Sequence, residues 1–251
     1  MPDISRLVRN YLYFPEAIPA NEPPPLWAGN AEEVWMECAD GVRIHGLWWG
    51  EPADAPAILF LHGNAQDVYS WSPVRQEMKT IGCSLLLIDF HGYGKSGGEP
   101  GEECLYMDGE AAMQWLNNRG IEDKDIIVFG KSLGGGVACE IAKNHRVRAL
   151  ILESTFTSLA RVSGKLFPFL PPGLSLDEVY DSIEKVKVCD CPVMVIHGEA
   201  DDLIPVGEGI DLYEAAPGRK DLYLVPHAGH NDVSIIAGAN YARRISAFLN
   251  I

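Results

Sequence analysis

The chain has 251 residues, 47% of them hydrophobic, which is enough to bury a large core at a size where α/β folds commonly form one domain. Its 35 acidic side chains outnumber 20 basic ones for a net charge of −15, and it has no basic run or nucleic-acid module, so a nucleic-acid partner is disfavoured. No run of about 18 apolar residues is present, and the N-terminus lacks the apolar core of a secretion signal, so no transmembrane segment is expected.

In chain order, Ile4, Leu7, Val8, Tyr11 and Leu12 fall at helical spacing with Arg6 and Arg9 between them. This predicts a short amphipathic helix in an N-terminal extension over residues 1–32, docked on its own domain or making peripheral contact with a membrane surface. A single domain is expected over 33–251. It opens with strands Glu33–Cys38 and Val42–Trp49, which flank the hairpin signal Ala39-Asp40-Gly41 and should pair antiparallel. Short apolar runs then recur at Ala57–His62, Leu85–Phe90, Ile126–Phe129, Ala149–Glu153, Val193–His197 and Leu222–Val225. They are separated by amphipathic helices such as 103–118 and 206–216. The expected fold is an α/β architecture with a mostly parallel eight-stranded sheet, helices on both faces, and a site formed by loops at the carboxyl ends of the strands.

One segment breaks this rhythm. Phe156 to Leu176 contains Phe167-Pro168-Phe169-Leu170-Pro171-Pro172, whose prolines forbid a regular helix or central strand and whose side chains are too apolar for an ordinary solvated loop. The segment reads as a small lid at about 156–190 with Phe167, Phe169 and Leu170 lining a substrate pocket; the alternative is a hydrophobic loop packed on the sheet edge. The six cysteines, at 38, 83, 104, 139, 189 and 191, lie in or beside apolar segments and read as reduced thiols. Cys189-Asp190-Cys191 has no second pair to complete a metal site and reads as packing at a strand entry. A reducing, cytoplasmic compartment follows as an expectation.

The chemistry concentrates at Gly130-Lys131-Ser132-Leu133-Gly134, where a buried-strand pattern runs straight into a small-residue helix. A serine on so sharp a turn has its hydroxyl pushed out beyond the sheet, and glycine fits two residues before and after it without a clash. Gly94-Lys95-Ser96-Gly97-Gly98 matches the same G-x-S-x-G pattern, but no helix follows it, so Ser96 reads as a loop residue satisfying turn backbone.

A nucleophilic serine needs a base, and the base an orienting acid. His230, in Ala228-Gly229-His230-Asn231-Asp232 beyond the final strand, is preferred to His227, which emerges directly from the strand end. His62 and His197 each precede glycine at a strand terminus and read as loop fasteners. Asp201 and Asp202 both follow strand 193–197, with Glu153 as a fallback acid. The oxyanion hole should combine the backbone N–H groups of Leu133 and Asn64, or of Ala65 in place of Asn64.

Six segments carry a family resemblance: LFLHGNA (59–65), IDFHGYGKSGGEP (88–100), FGKSLGGGVA (129–138), LESTFTS (152–158), IHGEADDLIP (196–205) and AGHND (228–232). The chain resembles α/β-hydrolases of the branch containing bacterial serine esterases and mammalian α/β-hydrolase-domain depalmitoylases. Many of those begin with a transmembrane helix or an acylated cysteine-rich segment, whereas the first cysteine here is Cys38. The resemblance implies Ser132 as nucleophile, Asp201 as acid and His230 as base. It also implies cleavage of small-molecule or acyl esters or thioesters with no metal or organic cofactor required. Peptidase-like or amide hydrolysis, and a catalytically silent scaffold binding a ligand or partner, are the alternative functions.

Overall fold

The computed structural model describes residue 9 and residues 12–51, 55–166 and 178–251. Its strands are β1 (Phe14–Pro15), β2 (Glu32–Glu37), β3 (Arg43–Trp49), β4 (Ala57–Leu61), β5 (Ala65–Gln66), β6 (Ser84–Ile88), β7 (Ile126–Lys131), β8 (Ala149–Glu153), β9 (Val193–Gly198) and β10 (Lys220–Val225). Eight of them form one sheet in the order β10-β9-β8-β7-β4-β6-β3-β2, while β1 and β5 pair separately. The β2–β3 and β3–β6 pairings are antiparallel and the rest of the large sheet is parallel.

The central strands β4, β6, β7, β8 and β9 are buried along their whole length, as their unbroken apolar runs require of strands covered on both faces. Alternation sorts their side chains into two cores. Leu59, Leu61, Leu86, Ile88 and Val128 pack on one side with residues of α3 (Glu102–Asn118), α4 (Leu133–Asn144) and α7 (Val206–Ala215). Ile58, Phe60, Leu85, Leu87 and Phe129 pack on the other with α1 (Val68–Trp71), α2 (Val74–Lys79) and α9 (Ala239–Leu249). Among the described residues, α5 (Leu159–Leu166), α6 (Ser182–Val186) and α8 (Val233–Ala237) are further α-helices.

The amphipathic helix read over residues 4–12 falls largely outside the described residues, as do the lid residues Phe167, Phe169 and Leu170. Among the described residues no helix is long and apolar enough to cross a membrane. Leu12 and Tyr13 of the N-terminal segment are buried and belong to the same apolar cluster as β4 and β7.

Candidate active site

Ser132 sits between the end of β7 and the first turn of α4 with φ +52° and ψ −118°, a conformation that L residues rarely adopt. The flanking glycines make that turn possible. A Cβ on Gly134 would lie 2.1 Å from the Leu61 carbonyl oxygen, and one on Gly130 would lie 2.5 Å from both the Ala138 Cβ and the Gly134 carbonyl oxygen. The turn is held on its far side as well: the Ser132 N–H donates to the Glu153 carbonyl at 2.9 Å, and the Thr155 hydroxyl donates to the Ser132 carbonyl at 2.7 Å.

The loops after β9 and β10 bring two further side chains to the serine. His230 Nε2 lies 3.0 Å from Ser132 Oγ, and His230 Nδ1 lies 2.8 Å from Asp201 Oδ2. The other Asp201 oxygen accepts the N–H groups of Leu203 at 2.9 Å and Ile204 at 2.8 Å. His197 Nε2 stands 3.3 Å from Asp201 Oδ2 and 3.0 Å from the Ile204 carbonyl. Burial alone would raise the Asp201 carboxyl, but the hydrogen bonds of His197 and His230 hold it well below the usual carboxylate range. The carboxylate beside His230 is therefore charged.

The competing residues point elsewhere. His227 is exposed, at φ +65°. Glu153 accepts from Lys131 Nζ at 2.5 Å and from the Tyr241 hydroxyl. Asp202, the other aspartate after β9, is exposed. Asp201 both holds its own loop and meets the base, one oxygen accepting from the loop backbone and the other facing the imidazole. Ser96 lies in a turn, where its hydroxyl donates to the Asp89 carbonyl at 2.8 Å and accepts the His45 N–H at 2.9 Å. His62 fastens its loop as expected, with Nδ1 2.7 Å from the Gly63 carbonyl, and burial lowers the pKa of its imidazole.

The loop after β4, His62–Gln66, passes against the turn carrying Ser132. A Cβ on Gly63 would lie 3.6 Å from the Ser132 Cβ and 3.4 Å from the Trp71 ring. Leu133 begins α4, so its N–H is one of the unpaired first-turn donors of that helix. Both backbone segments named for the oxyanion hole thus adjoin Ser132, one following it in the chain and one packed against its turn. A cavity of about 770 Å³ opens here, with Asn64, Trp71, Ser132 and His230 in its wall. Phe14, Leu203 and Ile235 contribute exposed apolar side chains, whereas Lys131, Glu153 and Tyr241 contribute buried polar ones. Phe14 and Glu16 of the N-terminal segment also line it, a contribution for which no spacing signal exists in the sequence.

Among the described residues, ligand atoms of Cys38, His91 and Asp108 lie within 4.8 Å of one another and are buried. The Cys38 thiol and His91 Nδ1 both address Asp108 Oδ1, and His91 Nε2 lies 3.2 Å from Asp40 Oδ2. Burial and the Asp108 charge raise the pKa of the Cys38 thiol, disfavouring the thiolate a metal would need. These hydrogen bonds use the donors among themselves and tie the turn between β2 and β3, the loop after β6 and α3 together.

Residues 56–177 match the model of the alpha/beta hydrolase fold family. The chain is 35% identical over 244 residues to an uncharacterised protein of Mycobacterium tuberculosis, covering 96% of this chain and 86% of that one. It is 34% identical over 201 residues to alpha/beta hydrolase domain-containing protein 17C of Xenopus tropicalis, covering 79% of this chain and 63% of that protein. Among solved structures, the Pyrococcus furiosus esterase Pf2001 superposes with a TM-score of 0.77 at 22% identity, over 94% of this chain and 98% of that one. With its mostly parallel eight-stranded sheet, the family-model match over 56–177 and this structural likeness, the chain has the α/β-hydrolase fold.

Proposed function

We propose that this hydrolase cleaves carboxylic esters or thioesters through an acyl-enzyme formed on Ser132. The observation that carries the reading is the unbroken hydrogen-bonded chain from Asp201 through His230 to Ser132. His230 Nε2 takes the Ser132 proton as Oγ attacks the substrate carbonyl carbon, and the charged Asp201 holds the imidazole with Nδ1 protonated. The carbonyl π electrons move to oxygen, which the N–H groups of Asn64 and Leu133 receive. The tetrahedral adduct collapses, His230 returns the proton to the departing alcohol or thiol, and water attacks the acyl-enzyme by the same relay to release the acid.

Labelling with a fluorophosphonate probe tests this reading. The parent chain should take one probe molecule at Ser132 and hydrolyse aryl esters and acyl thioesters. A folded parent chain that neither reacts with the probe nor hydrolyses any ester returns the fold to the role of a silent scaffold.

A further inference from the structure

The two N–H donors proposed for the oxyanion are held in different ways. Leu133 belongs to the first turn of a 12-residue helix packed in the core, so its N–H is fixed by the fold itself. Asn64 lies on the five-residue loop His62–Gln66, whose last residue has φ +69°, a conformation that persists in a non-glycine residue only when its surroundings enforce it. Trp71 holds one side of this loop, its Nε1 donating to the Ala65 carbonyl at 2.9 Å, and the N-terminal segment holds another. The Asn64 side chain donates through Nδ2 to the Leu12 carbonyl and accepts through Oδ1 the Phe14 N–H at 3.3 Å, along with the Tyr93 hydroxyl at 2.8 Å. Immediately beyond it, Ala65 and Gln66 pair in parallel with Phe14 and Pro15.

The segment is itself anchored at both ends. Arg9 Nε donates to Glu178 Oε1 at 2.7 Å, and the Tyr13 hydroxyl donates to Glu178 Oε2 at 2.9 Å and lies 2.7 Å from the Tyr180 hydroxyl. Further along, the Ile18 N–H donates to the Gly94 carbonyl and the Gly94 N–H to the Glu16 carbonyl, each at 2.8 Å. Between these anchors Leu12 and Tyr13 are buried to 3% exposure.

We infer that residues 12–18 act as a brace completing the oxyanion hole, with the Asn64 side chain and the Phe14 backbone as positioning groups for the Asn64 N–H. This rests on the ester-hydrolase reading above. A donor on an unbraced loop would sample orientations away from the developing charge, and the loss would fall on the transition state and leave ground-state binding almost untouched. The side chain of Asn64 thus acts through its own backbone, and the segment is a working part of the site.

The test uses the full chain, Asn64→Ala, Phe14→Pro, which removes the N–H donated to Asn64, their double variant, and Phe14→Ala, which removes only the ring that lines the cavity. For a small aryl ester, Asn64→Ala should lower kcat between about tenfold and 10³-fold with KM changed less than about threefold, and Phe14→Pro should do the same relative to Phe14→Ala. Affinity for a boronic acid, which becomes tetrahedral on Ser132 and puts an oxygen into the hole, should fall in parallel. The double variant should be little worse than the worse single one, since both break one contact. Amide hydrogen exchange should quicken at residues 62–66 and stay unchanged at 126–133.

If, with a probe-reactive parent, Asn64→Ala matches the parent and Phe14→Pro matches Phe14→Ala in kcat and boronate affinity, or if their effects multiply, the brace is overturned while the hydrolase reading stands. A parent inert to phosphonate overturns the hydrolase reading and the inference together. A uniform rise in exchange across the chain, with kcat and KM both degraded, assigns the contact to general stability and overturns it also.

Discussion

Two stretches of this molecule carry nearly the same five residues, Gly130-Lys131-Ser132-Leu133-Gly134 and Gly94-Lys95-Ser96-Gly97-Gly98, and the fold treats them in opposite ways. At the first, a strand ends and a helix begins, the serine is forced to positive φ, and its hydroxyl faces an imidazole across 3.0 Å. At the second, the turn is bent by its glycines, Gly94 at φ +53° and Gly98 at φ +77°, and Ser96 is absent from the positive-φ residues. Its hydroxyl is used on both sides by backbone, donating to Asp89 and accepting from His45. A serine whose oxygen holds its own loop together is chemically idle, whereas one whose loop is held by others has a free oxygen. Composition does not distinguish the two; what precedes and follows them does.

The widest separation between the serines should appear in turnover. Ser132→Ala should lower ester kcat by up to about 10⁶-fold and abolish phosphonate labelling, while Ser96→Ala keeps both within a few-fold, as read by steady-state kinetics and probe gels. Loss of labelling in Ser96→Ala alone would reverse the assignment. The same contrast extends to the adjacent aspartates, because only Asp201 reaches the imidazole serving Ser132. Asp201→Asn should cost about 10⁴ in kcat and Asp202→Asn less than tenfold, since an amide on Nδ1 favours the wrong tautomer.

The depressed carboxyl of Asp201 also has a stability consequence. Its contribution is fully present above the unfolded carboxylate value of about 3.9 and is lost as pH falls through its lower folded value. The stability gap between the parent and Asp201→Asn should therefore narrow with acidification below about pH 4 in urea titrations. A gap that widens there would contradict the charge state assigned to Asp201.

The sheet was legible because its central strands are buried on both faces, so that runs such as Ala-Ile-Leu-Phe-Leu at 57–61 and Ala-Leu-Ile-Leu-Glu at 149–153 carry an unmistakable apolar signal. The edge strand β10 reads less clearly: its half-buried Lys220 and Asp221 gave no such signal, and the expected strand started two residues late. The grouping of Ser132, His230 and Asp201 could be anticipated because each lies just past a strand end, and all such ends converge on one side of a parallel sheet. The N-terminal brace could not. β1 is two residues long with both exposed, and its pairing with β5 depends on main-chain groups and one asparagine side chain, none of which leaves a periodic pattern. Nor could the division of labour between the Asp201 oxygens be read from residue types alone.

Stability should invert the ranking seen in turnover. Removing the Ser96 hydroxyl leaves the Asp89 carbonyl and the His45 N–H without the partners they have in the turn, which costs about 1–3 kcal/mol when such groups are kept from water. Removing the Ser132 hydroxyl frees only His230 Nε2, which lines an open cavity where water can replace it. Chemical denaturation should thus find Ser96→Ala the less stable of the two alanine variants and the more active. Equal midpoints would mean that the Ser96 contacts are made to water just as easily.

The smallest effect is the one that isolates the backbone. Comparing glycine with alanine at each serine removes the hydroxyl in both cases, so the remaining difference is conformational. At an ordinary position glycine is less stable than alanine by about 0.5–1 kcal/mol, because it has more unfolded freedom to lose. Ser96 has no positive φ, so Ser96→Gly should follow that rule relative to Ser96→Ala. Ser132, at φ +52° and ψ −118°, forces any Cβ into a conformation costing about 1–3 kcal/mol, which glycine escapes. The strain exceeds the entropy difference, so the sign should reverse: Ser132→Gly is expected to be more stable than Ser132→Ala by about 1 kcal/mol. Urea midpoints of the four variants measure this directly. If the glycine variant is the weaker one at both serines, the turn at Ser132 holds no strain, and the free oxygen there owes its exposure to the neighbouring glycines alone.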